Sequence, residues 1–527
     1  MDFNKQVYIY DTTLRDGAQA EGISFTLEDK IKICKLLDDF GVDYIEAGNP
    51  GSNPKDIEFF NSIYKLKLKN AKLVAFGSTR KPYSKVEDDK GLKAILNANT
   101  ATVAIFGKSW DMHVFEILRT DCDENLKMIR DTIKYLKDNE KEVVFDAEHF
   151  FDGFKANKEY AISTLKAAEA AGADWLVLCD TNGGTQPDEL VEIIKETEKK
   201  INLPLGVHCH DDMGMAVANS VMAAKNGARM LQGTINGYGE RCGNANLVSI
   251  IPTLKIKVKT EFNCGENIQG ITAVSRHVSE IANMAHSEKA PYVGNSAFAH
   301  KGGMHIDAVL KNPKSFEHIE PALVGNNRRI LMSEVSGKST VVKKIQKVAP
   351  WITKDSVEAQ GIIDKLKSLE YEGYQFEGAD SSFELMVRKM LGIYKSFFKV
   401  KDFRVNCEDK WLEKNSAYAV IKVEVDGREE LTAGEGDGPV NAMDVALRKA
   451  LLVFYPQLKK IRLNDYKVRV LDTTEATAAK VRVHIESTDG NKVWGTVGVS
   501  TNIIQASWEA LVDSLEYFLY EESNKND

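Results

Sequence analysis

Eight short apolar segments, each followed by a stretch long enough for one helix, fill the first 240 residues, and this rhythm limits the fold more than any other feature of the chain. They read VYIYDTTL (7–14), VDYIEAG (42–48), KLVAFG (72–77), TATVAIFG (100–107), EVVFDAEH (142–149), WLVLCDT (175–181), PLGVHCHD (204–211) and MLQGTING (230–237). Nearly continuous apolar character suits strands covered on both faces, as in a parallel sheet with helical crossovers. The intervening patterns LEDKIKICKLLDDFG (27–41) and YAISTLKAAEAAG (160–172) are amphipathic and close on a glycine that can cap a helix. Eight βα units in about 250 residues predict an α/β fold of (β/α)₈ barrel type. An open doubly wound sheet fits the same periodicity.

Polar residues cluster at the C-terminal edge of these segments: Arg15 and Asp16, Glu46, Ser78 to Arg80, His113 a little beyond, Glu148 and His149, Asp180 and Thr181, His208 and His210, and Asn236. Barrel enzymes assemble their sites on that rim. The predicted barrel spans 1–262. A helical connector (263–394) follows, through 268–285, 300–310 and 340–350. From 395 to 527 the chain alternates with period 2 and repeats itself. AYAVIKVEVDGREE (417–430) matches AKVRVHIESTDGNK (479–492), and Ala442, Ala446, Leu447, Leu451 and Phe454 fall opposite Ala506, Ala510, Leu511, Leu515 and Phe518. Two copies of a hairpin and helix predict a separate α+β domain.

The charge balance, 69 Lys+Arg against 77 Asp+Glu, is mixed along the chain and predicts no nucleic-acid or membrane partner. Seven single cysteines without a CxxC pair suit reduced thiols in the cytoplasm.

His208 and His210, at i and i+2 on a strand, project to one side and could share a metal ion. A hydrogen-bonded structural pair is the competing reading of an isolated HxH. Asp16 after the first strand and Asn244 after the eighth add oxygen ligands from positions that adjoin in a closed barrel. Such a set suits Mn²⁺, Mg²⁺, Co²⁺ or Zn²⁺ acting as a Lewis acid.

The segments DTTLRDGAQ (11–19), HCHDDMGMAVANS (208–220) and GTINGYGERCGNANL (233–247) resemble the signatures of the isopropylmalate, homocitrate and citramalate synthases. GMHIDAVLK (303–311) resembles their connector motif, and the C-terminal repeat resembles their regulatory dimerisation domain. YIEAGNPGSNPKDIEFF (44–60), GSTR (77–80), GKSWDMHV (107–114) and DAEHFFDGFKAN (146–157) look most like the bacterial citramalate synthase group. The resemblance implies a metal-dependent acyltransferase that condenses acetyl-CoA with pyruvate, hydrolyses the thioester, works as a homodimer and responds to isoleucine. A 2-oxo acid would chelate the metal. Arg15 would stabilise the developing alkoxide, with a buried structural ion pair as its alternative role. Thr181, His113 and Glu46 would contact substrate, although Thr181 could also cap the following helix and His113 could act from behind the site. His305, brought from the partner subunit, and Glu148 compete as the group that assists proton removal from acetyl-CoA. A 2-isopropylmalate or homocitrate synthase with a different 2-oxo acid, and a hydroxymethylglutaryl-CoA lyase-like enzyme that cleaves a C–C bond, remain the alternatives within the enzyme class. A scaffold without catalysis would lack Arg15 or a metal ligand, and all are present.

Overall fold

A computed structural model describes residues 6–63, 68–331, 338–408, 416–471, 479–490 and 492–526. Asn491, in the second copy of the repeat, lies outside them. The chain forms two compact units, one of residues 1–298 and 319–328, the other of 299–318 and 329–527.

The first unit is a closed barrel of eight parallel strands: β1 (Tyr8–Asp11), β2 (Tyr44–Gly48), β3 (Lys72–Ser78), β4 (Thr102–Lys108), β5 (Glu142–Glu148), β6 (Trp175–Asp180), β7 (Leu205–Cys209) and β8 (Met230–Gly233). Closure is carried by β1 and β8, paired from Tyr8 with Met230 to Asp11 with Gly233. That pairing removes the open-sheet alternative. Alternate residues explain the apolar runs. Ile9, Ile45, Ala75, Ile105, Phe145, Leu178, Val207 and Leu231 join the core shared with the surrounding helices. Tyr10, Tyr44, Val74, Ala104, Val144, Val177, Cys179 and Met230 pack together as a second, smaller cluster, the filling of the barrel interior. The first helix, Leu27–Phe40, starts in a capping box of Thr26 with Asp29 and ends at Gly41, whose φ of 98° only glycine adopts freely.

The barrel unit runs past residue 262, where the periodicity of the sequence ends. Cys264, Ile271, Val274, Val278, Val293 and Phe298 are buried in the same core as the barrel helices. Helical periodicity alone does not reveal which core a helix joins, so the connector read over 263–394 divides between the two units.

In the second unit, β9 (Ala299–His300) and β10 (Arg329–Ile330) pair in parallel. The helices Lys338–Val348, Val357–Glu372 and Asp380–Met390 precede the repeat. Each copy is a three-stranded antiparallel sheet followed by a helix, larger than the hairpin and helix read from sequence. The first has β11 (Lys399–Glu408), β12 (Ser416–Val425), β13 (Arg428–Gly436) and the helix Pro439–Leu452. The second has β14 (Arg462–Val470), β15 (Val481–Thr488), β16 (Val493–Ser500) and the helix Ile503–Asn526. The leading strands carry matching bulges, between Val400 and Asp402 and between Leu463 and Asp465. One core cluster takes residues from both copies, and against it Phe403 of the first stacks on Trp508 of the second at 4.6 Å between centroids, while Val483, Ile485, Ala506, Ala510 and Leu511 of the second form a cluster of their own. No helix among the described residues is long and apolar enough to cross a membrane.

Candidate functional site

The inward positions of the strands change from apolar to polar toward their C-terminal ends. Above the tyrosines and valines of the interior come Glu46, Asp146, His208 and Gln232, all buried. Over this layer opens a cavity of about 230 Å³, lined by Arg15, Asp16, Phe76, Phe106, Asp146, Glu148, Cys179, Thr181, His208 and His210, with Gln19, Glu240 and Arg241 at its edge.

Three loops build it, and their motifs have local reasons. After β1 the chain folds over the Thr12 carbonyl, which accepts the N–H groups of Arg15, Asp16 and Gly17, while Thr12 N–H donates to Gly233 O on β8. Thr13 Oγ1 accepts from Ile235 N–H at 2.8 Å. The two threonines thus tie the turn bearing Arg15 and Asp16 to the end of β8. Past β7, His210 bridges to Asn244, and Ala245 N–H donates to Cys209 O. Within 237–244 a Cβ on Gly239 would lie 2.1 Å from Asn244 Nδ2, and one on Gly243 would lie 2.0 Å from Gly237 O; both residues have positive φ. Only glycine allows this loop to seat Asn244.

Asp16, His208 and His210 form the metal-type cluster, each with a ligand atom within 4.8 Å of the others. His208 Nε2 stands 3.2 Å from Asp16 Oδ2 and 3.3 Å from His210 Nε2. Burial disfavours the Asp16 anion, but Arg15 and the two imidazoles outweigh it and hold this carboxyl well below its usual range. Burial, reinforced by the neighbouring His208, pushes His210 down to about 3. Asn244 is buried, its Nδ2 donates to Tyr238 O at 3.1 Å, and its Oδ1 has no partner. One carboxylate, two imidazoles and an orphaned amide oxygen, with no thiolate, fit a hard or borderline divalent cation. Asn244 is not among the residues lining the cavity, and its backbone bridge to His210 is what brings it to this end of the barrel.

Arg15 Nε donates to Glu46 Oε1 at 2.6 Å, its Nη1 lies 3.4 Å from Asp16 Oδ2, and its guanidinium sits 3.9 Å from the centre of the Phe76 ring. Glu46 is completely buried and its other oxygen accepts from Tyr10 O–H at 2.6 Å. It lies beneath the cavity and is absent from its lining, and with one oxygen on Tyr10 and the other on Arg15 it acts on the site by holding Arg15. Thr181 Oγ1 accepts from His149 N–H at 2.9 Å, which leaves its own proton free to point elsewhere. Glu148 pairs with Lys108. His113 starts a π-helical turn, stacks against Trp110 and meets the His149 ring at 4.2 Å. Burial first, then the His149 and Lys108 charges, lowers its pKa, and it too lies outside the cavity lining. His305 belongs to the second unit, on the helix Gly303–Lys311. It is exposed and stacked on Phe316 at 4.1 Å, and it is not among the residues lining the cavity.

Three participants are not singled out as site residues by the sequence, although Asp146 and Arg241 lie within motifs quoted above. Asp146 lines the cavity, Gln232 lies behind His208, and Arg241 at the edge holds Asp212 and the Thr181 carbonyl. Burial, with the Glu46 charge next, pushes Asp146 up to about 7. The available signal was the period of two: Asp146 precedes Glu148, and Gln232 follows Met230, on inward positions of their strands.

The family described as HMGL-like matches residues 6–278, that of the homocitrate synthase post-HMGL domain matches 292–373, and that of the LeuA allosteric (dimerisation) domain matches 377–519. The chain is 52% identical to the (R)-citramalate synthase of Aquifex aeolicus over 99% of both proteins, and 53% identical to that of Geobacter sulfurreducens over 98% of both. Its identity to the probable 2-isopropylmalate synthase of Methanopyrus kandleri is 31%, over 96% of this chain and 97% of the relative. With an HMGL-like barrel, the polar cluster at its mouth and a LeuA-type C-terminal domain in one chain, and with that margin of similarity, this protein belongs to the (R)-citramalate synthase family.

Proposed function

We propose that the chain condenses acetyl-CoA with pyruvate and hydrolyses the resulting thioester, releasing (R)-citramalate and CoA. The observation that carries this reading is the convergence of Asp16, His208 and His210 beside the Arg15 guanidinium in one cavity. Pyruvate is supported by full-length similarity to relatives bearing the citramalate synthase name, well above that to the 2-isopropylmalate synthase.

In the proposed chemistry Asp16, His208, His210 and Asn244 hold a divalent cation, Mn²⁺, Mg²⁺, Co²⁺ or Zn²⁺, which when bound supplies Lewis acidity to the carbonyl of the 2-oxo acid. Arg15, fixed by Glu46, places positive charge where the carbonyl oxygen becomes an alkoxide. The Thr181 hydroxyl, free to donate, binds the substrate carboxylate. Phe76 and Phe106 give the cavity an apolar wall. A base takes a proton from the acetyl methyl group, whose carbon then bonds to C2 of pyruvate, and water later cleaves the C–S bond to leave a carboxylate and a thiol. Glu148 is the candidate base within the cavity. His305, delivered by a partner subunit, is the other candidate, and a homodimer is supported by the match to a dimerisation domain. Isoleucine is the proposed effector of that domain. A cytoplasmic location belongs to the same reading, supported by the seven free cysteines.

The test is thiol release from acetyl-CoA with pyruvate, 2-oxoisovalerate and 2-oxoglutarate in turn. Pyruvate should give the highest kcat/KM. A higher value for 2-oxoisovalerate would transfer the assignment to 2-isopropylmalate synthesis.

A further inference from the structure

His208 can serve as a ligand through Nε2 only if that nitrogen carries a lone pair, and a neutral imidazole has one bare and one protonated nitrogen. The choice is made on the far side of the ring. His208 Nδ1 lies 2.9 Å from Gln232 Oε1, and Gln232 Nε2 donates to Asp146 Oδ1 at 3.0 Å. All three side chains are buried. In this arrangement the Gln232 amide turns its NH₂ toward Asp146 Oδ1 and its oxygen toward His208. That oxygen in turn requires a proton on Nδ1. Nε2 is thereby the nitrogen free to give up its proton to a cation, 3.2 Å from Asp16 Oδ2 and 3.3 Å from His210 Nε2.

We propose that Gln232 is a positioning residue that fixes the tautomer and ring orientation of His208 for metal binding, and that Asp146 fixes the orientation of Gln232. The inference rests on the metal reading of Asp16, His208 and His210 and extends it to two residues outside that ligand set. Asp146 faces the cavity as well, so one hydrogen-bonded chain joins the cavity wall to the ligand ring. Partners placed behind a ligating histidine are worth about 10- to 100-fold in metal affinity when removed.

Two measurements test this on the full-length protein. The first titrates the metal-stripped enzyme with Mn²⁺ and follows the free ion by electron paramagnetic resonance. Gln232→Leu should weaken binding by about 10- to 100-fold. Gln232→Glu combined with Asp146→Asn should restore it, because the exchanged carboxylate still accepts from Nδ1 and the exchanged amide still donates. Unchanged affinity in Gln232→Leu, or a double variant as weak as Gln232→Leu, overturns the proposal. The second measurement is read on the wild type, with a variant used only to assign the signal. With ¹⁵N-labelled histidine in the metal-free wild type, at a pH where the ring is neutral, and with the resonance assigned by its loss in His208→Ala, the proton should sit on Nδ1 of His208 and not on Nε2. A bare Nδ1 overturns the proposal whatever the titration gives. Failure of the wild type to bind Mn²⁺ counts against the metal reading instead, and the tautomer measurement still decides the role of Gln232.

Discussion

Arg15 is held from three sides, by Glu46, by Asp16 and by the face of Phe76, so its charge reaches the cavity already oriented and costs no reordering when a substrate arrives. The ligand cluster is likewise held by the scaffold, with Asp16 on the turn after β1 and His208 and His210 at the end of β7. Removing one should therefore cost binding without unfolding the barrel. Asp16→Ala or His208→Ala is expected to abolish metal retention and to lower condensation by about 10³-fold or more, since Lewis-acid stabilisation amounts to several kcal/mol. Metal analysis, thiol release and circular dichroism check this together, and full activity in a metal-stripped His208→Ala preparation would end the metal hypothesis. At this scale the sequence speaks through residues whose chemistry is rare in an apolar run. Asp16, His208 and His210 declare themselves by type and spacing. Asp146 and Gln232 do not, because an aspartate or glutamine near a strand end is common, and only the inward register of a closed barrel gives them their neighbours. Glu46 shows the opposite difficulty: its position at the rim was legible, but the Tyr10 hydroxyl that turns it into a holder of Arg15 comes from another strand.

Among the elements, the barrel strands are legible because burial on both faces leaves long apolar runs. The leading strands of the repeat, β11 and β14, are not, because residues along them remain largely exposed and alternate weakly. The repeat nonetheless shows in how each helix lies on its sheet. A Cβ on Gly434 of β13 would come 2.5 Å from Ala446 N, and one on Gly498 of β16 would come 2.1 Å from Ala506 O, both backbone atoms that cannot yield. Gly498→Val should therefore destabilise the protein by about 1–3 kcal/mol through overpacking, read as a lower midpoint in urea. A pH dependence belongs to the helix Ile503–Asn526. Burial pushes Glu516 up to about 7, outweighing its hydrogen bond from Tyr394 and the Lys389 charge. With its folded pKa above the unfolded one, this group contributes fully at pH below about 4.5 and loses its contribution as pH rises through about 7. Glu516→Gln should flatten the fall of Tm between about pH 5 and 8, and an unchanged slope in thermal melts would refute this.

For the whole molecule, the outlying residue is His305, in the second unit and outside the cavity lining. If a partner subunit supplies it, variants defective in different pieces of one site complement each other. Mixing His305→Ala with Arg15→Ala under conditions of proven subunit exchange should restore part of the activity that each lacks, because some mixed dimers contain one intact pair. No recovery would place His305 outside the reaction. The division of the chain has a further consequence, for synthesis. The barrel unit includes residues 319–328, where Val324 O accepts from Thr272 Oγ1 and Asn326 Nδ2 donates to the carbonyls of Tyr292 and Gly294. The intervening stretch, 299–318, belongs to the other unit and carries the helix with His305. A nascent chain that has just delivered Phe298 thus still lacks a piece of its barrel, and must bring out the His305 helix before that piece emerges from the ribosome. The first unit cannot be finished before the second has begun, and a gene fragment ending at codon 298 encodes a closed barrel whose unit lacks the hydrogen bonds made by Val324 and Asn326.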